Sequence, residues 1–314
     1  MWTMIQQISP YAVAYTIPLL ITALGGLYSE RSGVVNIGLE GLMVVGSFAG
    51  ALSISMLQPT LHGQALWIGL FFAAVCGALF SLLHAFASIS LSADQVISGT
   101  AINMIASALT VFIARNLTGS GNIIIEGFTR FDVPVLSDIP VVGKLLFINT
   151  YATTWLVLAI LAVSYVVLYK TVFGLRLRAC GEHPHAADSA GINVYLMRYI
   201  AVIISGAFSG LGGAIILVTY SGEFSGTVFG LGFLALAALI FGQWKPLGIL
   251  GATVFFGFAS TIANVSQATP LFASIPGVLL KIFPYVVTLL VLVLFSRTSE
   301  APRASGEPFS HGKR

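Results

Sequence analysis

Nine stretches of this chain are apolar enough to enter a bilayer, and this limits the possible folds more than any motif does. They run roughly over 11–27, 34–56, 65–90, 95–114, 151–169, 199–220, 227–242, 246–264 and 276–295. A spanning helix needs about 20 largely apolar residues, and in lipid only helices and closed barrels satisfy the backbone. Runs this continuous read as helices. Hydrophobic residues make up 57% of the chain and charged residues 8%, against about 25% charged in ordinary soluble domains. The expected fold is therefore an all-α polytopic membrane protein. A net charge of +3 with no basic cluster among aromatics excludes nucleic acid as a partner. Cys76 and Cys180 lie in an apolar segment and a basic loop, so neither a disulfide nor a metal site is expected from them. Met1–Ser9 carries no Lys or Arg, so 11–27 reads as a retained helix and not as a secretory signal.

Loop charge orients the chain. Lys170, Arg176, Arg178 and Arg198 bracket one connection (170–198), and more bases follow Arg297, so both regions belong in the cytoplasm. The 116–150 connection, with Glu126, Asp132 and Asp138 against Arg130 and Lys144, belongs outside. Nine simple crossings ending inside would put the N-terminus outside. A weak internal repeat points to ten elements instead. Tyr28, Ser29, Gly38, Leu39 and Leu42 recur as Tyr220, Ser221, Gly230, Leu231 and Leu234. If the repeats run parallel, Ser29–Gly33 is external, 34–56 enters and returns as two short pieces, and both termini are cytoplasmic. Discontinuous helices of this kind occur at substrate sites between repeats. The expected domains are a transmembrane unit over 1–295 and a disordered, Pro/Ser/Gly-rich tail over 296–314. Gly206, Gly210 and Gly213, with Ser205 and Ser209, form a small-residue face suited to close helix packing.

Candidate chemistry is sparse. There is no G-x-x-x-x-G-K-[ST] loop, no H-E-x-x-H and no G-x-S-x-G, and His183-Pro184-His185 lacks a helical metal face. No active site, metal or resident cofactor is expected. Intramembrane polar residues are costly and mark solute paths by default. The selected path residues are Glu30, Asn36, Glu40, Asp94 and Asn103. Asn36 and Glu40 lie four apart, on one face if helical, beside Gly33, Gly38 and Gly41. A structural ion pair or hydrogen bond to another helix explains them about as well. In the basic loop, Pro184 starts a short small-residue helix that Gly191 stops, a shape that fits a partner's groove.

Two stretches carry a resemblance. Ser29-Glu30-Arg31-Ser32-Gly33-Val34-Val35-Asn36-Ile37-Gly38-Leu39-Glu40-Gly41 and Gly174–Ile192 resemble the signatures of ABC-transporter permeases of the ribose, branched-chain amino acid and nucleoside importer superfamily. The nucleoside (guanosine-type) branch is the better match. The resemblance implies a permease subunit in a bacterial inner membrane that moves nucleosides inward by alternating access. It also implies cytoplasmic ATP-binding subunits that use ATP, a second and non-identical permease, and an extracytoplasmic substrate-binding lipoprotein. Gly181, Glu182, Pro184, Ala187, Asp188 and Gly191 would then couple to the ATPase. Competing readings are an ABC permease for sugars or branched-chain amino acids and a proton- or sodium-coupled carrier. A membrane enzyme or a scaffold fits less well.

Overall fold

The computed structural model describes residues 2–265 and 301–310, with isolated positions between 278 and 286. The apolar runs form α1 (Trp2–Arg31), α2 (Leu39–Leu61), α3 (Gln64–Ala85) and α4 (Gln95–Thr118). After a short α5 (Val142–Leu146) come α6 (Ala152–Lys170), α7 (Val172–Glu182) and α8 (Pro184–Ser189). Then follow α9 (Val194–Ile216), α10 (Leu231–Phe241) and α11 (Pro246–Val265). π turns prolong α3 through Ser90 and α9 through Ser221. Among the described residues α1, α2, α3, α4, α6, α9 and α11 are long and apolar enough to span a membrane, and α10 is a shorter apolar helix. The run expected at 276–295 lies outside the described residues.

Helices α1 and α9 form the centre. Leu19, Leu20, Ile21 and Leu24 of α1 are fully buried, as are Ala201, Val202, Ala214 and Ile215 of α9. The small-residue face of α9 does what its spacing predicts. At Gly210 the backbone of α3 passes so close that an added Cβ would strike the Ala73 carbonyl. Without a hydrophobic drive between helices in lipid, such backbone approach supplies the packing. By contrast, α4 turns much of its surface outward, including Ile97, Met104 and Phe112.

Cross-contacts fix the sides of the molecule. Near the start of α1, the Ser9 hydroxyl donates to the Leu145 carbonyl, and the Arg130 guanidinium sits 4.3 Å from the centre of the Tyr11 ring. Both partners belong to the acidic 116–150 connection. At the other end of α1, Arg31 lies 3.8 Å from Glu182 of the basic loop. The start of α1 therefore lies on the external side, which corrects the expectation that both termini are cytoplasmic. It also begins well before residue 11 and carries Pro10 and Pro18 inside it.

The repeat is inverted rather than parallel. Ser29–Gly33 lies at the cytoplasmic end, against Gly181, whereas Ser221–Phe224 lies with the external connection through β1 (Ile123–Ile124) and β2 (Glu223–Phe224), an antiparallel pair. The segment expected as two short pieces is instead one continuous helix, α2, and the break falls ahead of it at Ser32–Gly38. The tail also departs from expectation. Residues 301–310 contain no helix or strand, yet they pack on α7, α8 and α9, with Phe309 and Ala304 buried. Composition predicts disorder there because it does not register one aromatic seated in a hydrophobic cluster made by distant segments.

Candidate functional site

Two sites sit at opposite ends of the break between α1 and α2. Non-helical backbone at membrane depth must find partners within the protein. Side chains from three other helices supply them. The Val35 N–H donates to Gln95 Oε1 at 2.6 Å, and His84 Nε2 lies 3.0 Å from the Val35 carbonyl. Asn103 grips both flanks of Gly38, its amide donating to the Ile37 carbonyl at 3.0 Å and its oxygen accepting from the Gly41 N–H at 2.7 Å. Asn36, fully buried, donates to Ser205 Oγ of α9 at 2.9 Å and accepts from the Gly38 N–H at 3.1 Å. Asn36 and Asn103 are thus clamps on the break. Because Asn36 is not helical, it shares no helix face with Glu40.

Glu40 is placed differently. It sits in the first turn of α2, and its carboxylate accepts two backbone bonds from the start of α10: Gly230 N–H at 2.9 Å and Gly232 N–H at 2.6 Å. The positive ends of two helices, running in opposite directions, therefore converge on one carboxylate. Gly38 and Gly230, paired in the repeat, are the N-caps of these two helices. Gly230 adopts φ +79, a conformation that glycine takes at little cost. From this junction α10 descends 11 residues, about 16 Å at 1.5 Å per residue, to Trp244 beside Glu30 and Arg31. Glu40 is thus roughly half a hydrocarbon thickness from the cytoplasmic end. It is only partly covered, and each carboxylate oxygen keeps acceptor capacity beyond its one backbone bond. Phe229, exposed and at φ +59, precedes this junction.

Glu30 and Arg31 close the cytoplasmic end. Trp244 Nε1 donates to the buried Glu30 carboxylate at 2.5 Å, and the Arg31 guanidinium donates twice to the Trp244 carbonyl, at 3.1 and 2.8 Å. Asp94 is the N-cap of α4. Its carboxylate accepts from Val96 and Ile97 N–H on an exposed surface, a capping role that accounts for it fully. Of the five residues selected from sequence, Asn36, Glu40 and Asn103 surround the break, Glu30 lies at its cytoplasmic foot and Asp94 stands apart. Sequence reasoning missed His84, Ser205 and Trp244. A His within an apolar helix and a Trp at a segment edge were the signals that marked two of them.

The second site is the basic loop. Helix α8 spans Pro184–Ser189 with Pro at its start, and Gly191 follows at φ +82, as the spacing predicts. Pro184 and Ala187 are buried, while Glu182 reaches solvent and pairs with Arg31. The Asp188 carbonyl accepts from the Gly191 N–H and thereby closes the helix. Cys180 is buried and carries a free thiol, which burial pushes up to about 11 against a smaller opposing pull from the Arg198 guanidinium. Among the described residues no cluster of His, Cys, Asp and Glu is arranged to hold a metal.

A family model described as branched-chain amino acid transport system / permease component matches residues 10–294. The chain belongs to this family. It is a transport component, a multi-pass membrane permease, and not an enzyme. A guanosine ABC transporter permease protein of Bacillus subtilis (NupQ) is 49% identical over 310 residues, covering 98% of this chain and 97% of the relative. A nucleoside ABC transporter permease protein of Lactococcus lactis (NupC) is 42% identical over 311 residues, covering 98% of each.

Proposed function

We propose that this permease conducts nucleosides inward as the membrane subunit of an ATP-driven importer. One observation carries the reading: near-complete alignment, at 49% and 42% identity, with permeases of guanosine and nucleoside transporters. The geometry supports it in two places. Glu40 offers spare carboxylate lone pairs at mid-membrane depth, where a ribose hydroxyl or a base N–H can exchange water for an acceptor. Asn36 and Asn103 hold the backbone that positions it. On the cytoplasmic side Glu182, Pro184, Ala187 and Asp188, between Gly181 and Gly191, form the seat for an ATP-binding subunit. ATP use resides in that partner, and its closure biases the permease between two access states. A second, non-identical permease chain completes the pore, and an extracytoplasmic binding lipoprotein delivers the solute.

The test is uptake of a labelled nucleoside panel in cells with and without the gene, under ATP depletion and separately with a protonophore. Gene-dependent uptake that stops on ATP depletion and survives the protonophore supports the importer. Uptake that collapses with the protonophore at constant ATP makes the chain a gradient-coupled carrier. For the coupling seat, Glu182→Arg and Asp188→Arg should cut uptake at least fivefold while membrane insertion is unchanged. Unaltered uptake and solute-stimulated ATP hydrolysis in both would reject that assignment.

A further inference from the structure

The tail segment 301–310 (Ala-Pro-Arg-Ala-Ser-Gly-Glu-Pro-Phe-Ser) holds its place without secondary structure, so its anchors define it. The Ala304 N–H donates to the Gly181 carbonyl of α7 at 2.9 Å. The Gly306 N–H donates to the Gly33 carbonyl of the break at 3.2 Å. From α9, Arg198 Nη1 donates to the Glu307 carbonyl at 2.9 Å and the Tyr195 hydroxyl to the Phe309 carbonyl at 3.1 Å. The Phe309 ring, 3% exposed, sits 5.1 Å from the His185 ring of α8 and 5.4 Å from that of Tyr195. Each anchor belongs to a different part: α7, α8, α9 and the break.

Arg198 joins two of these parts directly. It is 1% exposed, and besides Glu307 it donates through Nε to the Ser32 carbonyl at 3.2 Å. One buried cation thus binds backbone of the tail and of the break together. The Arg31–Glu182 pair also bridges break and loop, but at 3.8 Å with Glu182 well exposed it is a weak link. Packed, hydrogen-bonded chains with discrete arrangements are what carry displacement between sites.

We propose that residues 301–310, knotted by Arg198, are a tie that transmits movement of α8 to the break at Ser32–Gly33, with Arg198 and Phe309 as positioning residues. The tie rests on the reading of α8 as the seat of the ATP-binding subunit. A push on α8 moves His185 against Phe309. The tail's backbone bonds then pass that movement to Gly33, and Arg198 passes it to Ser32. The break in turn leads through Asn36 and Asn103 to Glu40.

The experiment uses the whole transporter in inverted membrane vesicles, comparing the native chain with Phe309→Ala, Phe309→Leu, Arg198→Lys and a chain ending at residue 300. Solute imported per ATP hydrolysed, co-purification of the ATP-binding subunit, and maleimide labelling of Cys180 in a Cys76→Ser background are measured together. The tie predicts at least a fivefold fall in solute per ATP for Phe309→Ala and the shortened chain, with co-purification retained. Phe309→Leu, which keeps the apolar plug, should recover most of the ratio, and Arg198→Lys should fall between. Cys180, adjacent to the tail-bonded Gly181, should label at least tenfold faster in the shortened chain. A ratio within twofold of native in both Phe309→Ala and the shortened chain overturns the tie. Loss of the ATP-binding subunit from both overturns it too, because the tail would then be a docking element. Should the native chain show no ATP-driven nucleoside import, the functional reading fails separately. Cys180 labelling then decides the tie alone: an unchanged rate rejects it.

Discussion

Asn103 and Asp94 look equivalent in sequence, two polar residues nine apart at the head of one apolar run, yet they do different work. Asp94 caps α4 at the surface, where loss of such a cap costs about 1 kcal/mol. Asn103 satisfies a donor and an acceptor of the break, and its removal leaves both without partners in a lipid-embedded interior. Asn103→Ala should therefore lose roughly 2–4 kcal/mol and Asp94→Ala about 1 kcal/mol. Thermal unfolding of the two variants in one detergent checks this, and equal losses would mean the break is not clamped by Asn103. Cys180 permits a pH test. Its thiol ionises near 11 when folded, above the ordinary value of 9. Between those values the unfolded chain loses its proton first, so folding loses stability as pH rises through that window. Below pH 9 the thiol is neutral in both states and contributes nothing to the dependence. Labelling of folded protein should be about 100-fold slower than for an ordinary exposed cysteine at pH 8, and should accelerate up to pH 11.

At the scale of elements, two glycines separate steric from conformational need. Gly210 lies where α9 meets the α3 backbone, so Gly210→Val requires the helices to part. Overpacking of this kind costs 1–3 kcal/mol or more, and the variant should yield little folded protein by size-exclusion chromatography. Gly191 has open space around it but φ +82. Gly191→Ala should cost about 1 kcal/mol and Gly191→Asn less, because Asn tolerates the left-handed region. A reversed order between Ala and Asn would refute the conformational explanation. The short helix α8 was legible because proline, small residues and glycine are local signals. The break was placed too far along the chain, because apolar content alone does not tell a helical Val-Val from an extended one at residues 34 and 35.

For the whole molecule, the inverted relation of α2 and α10 decides topology. Single cysteines at Asn149 and Glu182, in a chain otherwise lacking cysteine, should react with a membrane-impermeant maleimide from opposite sides. The first should react in intact spheroplasts and the second only in inverted vesicles. Reaction of both from one side would invalidate the orientation and with it the external start of α1. The offset of 192 residues that pairs Gly38 with Gly230 was visible in sequence, but its sense was not. Direction depends on how many crossings intervene, and a run such as 227–242 counts as a crossing only if it passes through.

Class, spans, loop charge and the boundaries of α8 were determined by the sequence alone, because hydropathy, charge and turn chemistry act over a few neighbouring residues. The family resemblance was legible there as well, and the match over 10–294 bears it out. Tertiary structure decided what each polar residue does. Asn36 finds Ser205, Glu40 finds Gly230 and Gly232, Glu30 finds Trp244, and the tail finds Gly33 and Gly181. These partners lie far apart along the chain. A polar group buried from water takes its role from whichever donor or acceptor the packed helices bring within about 3 Å, and no local pattern specifies that partner.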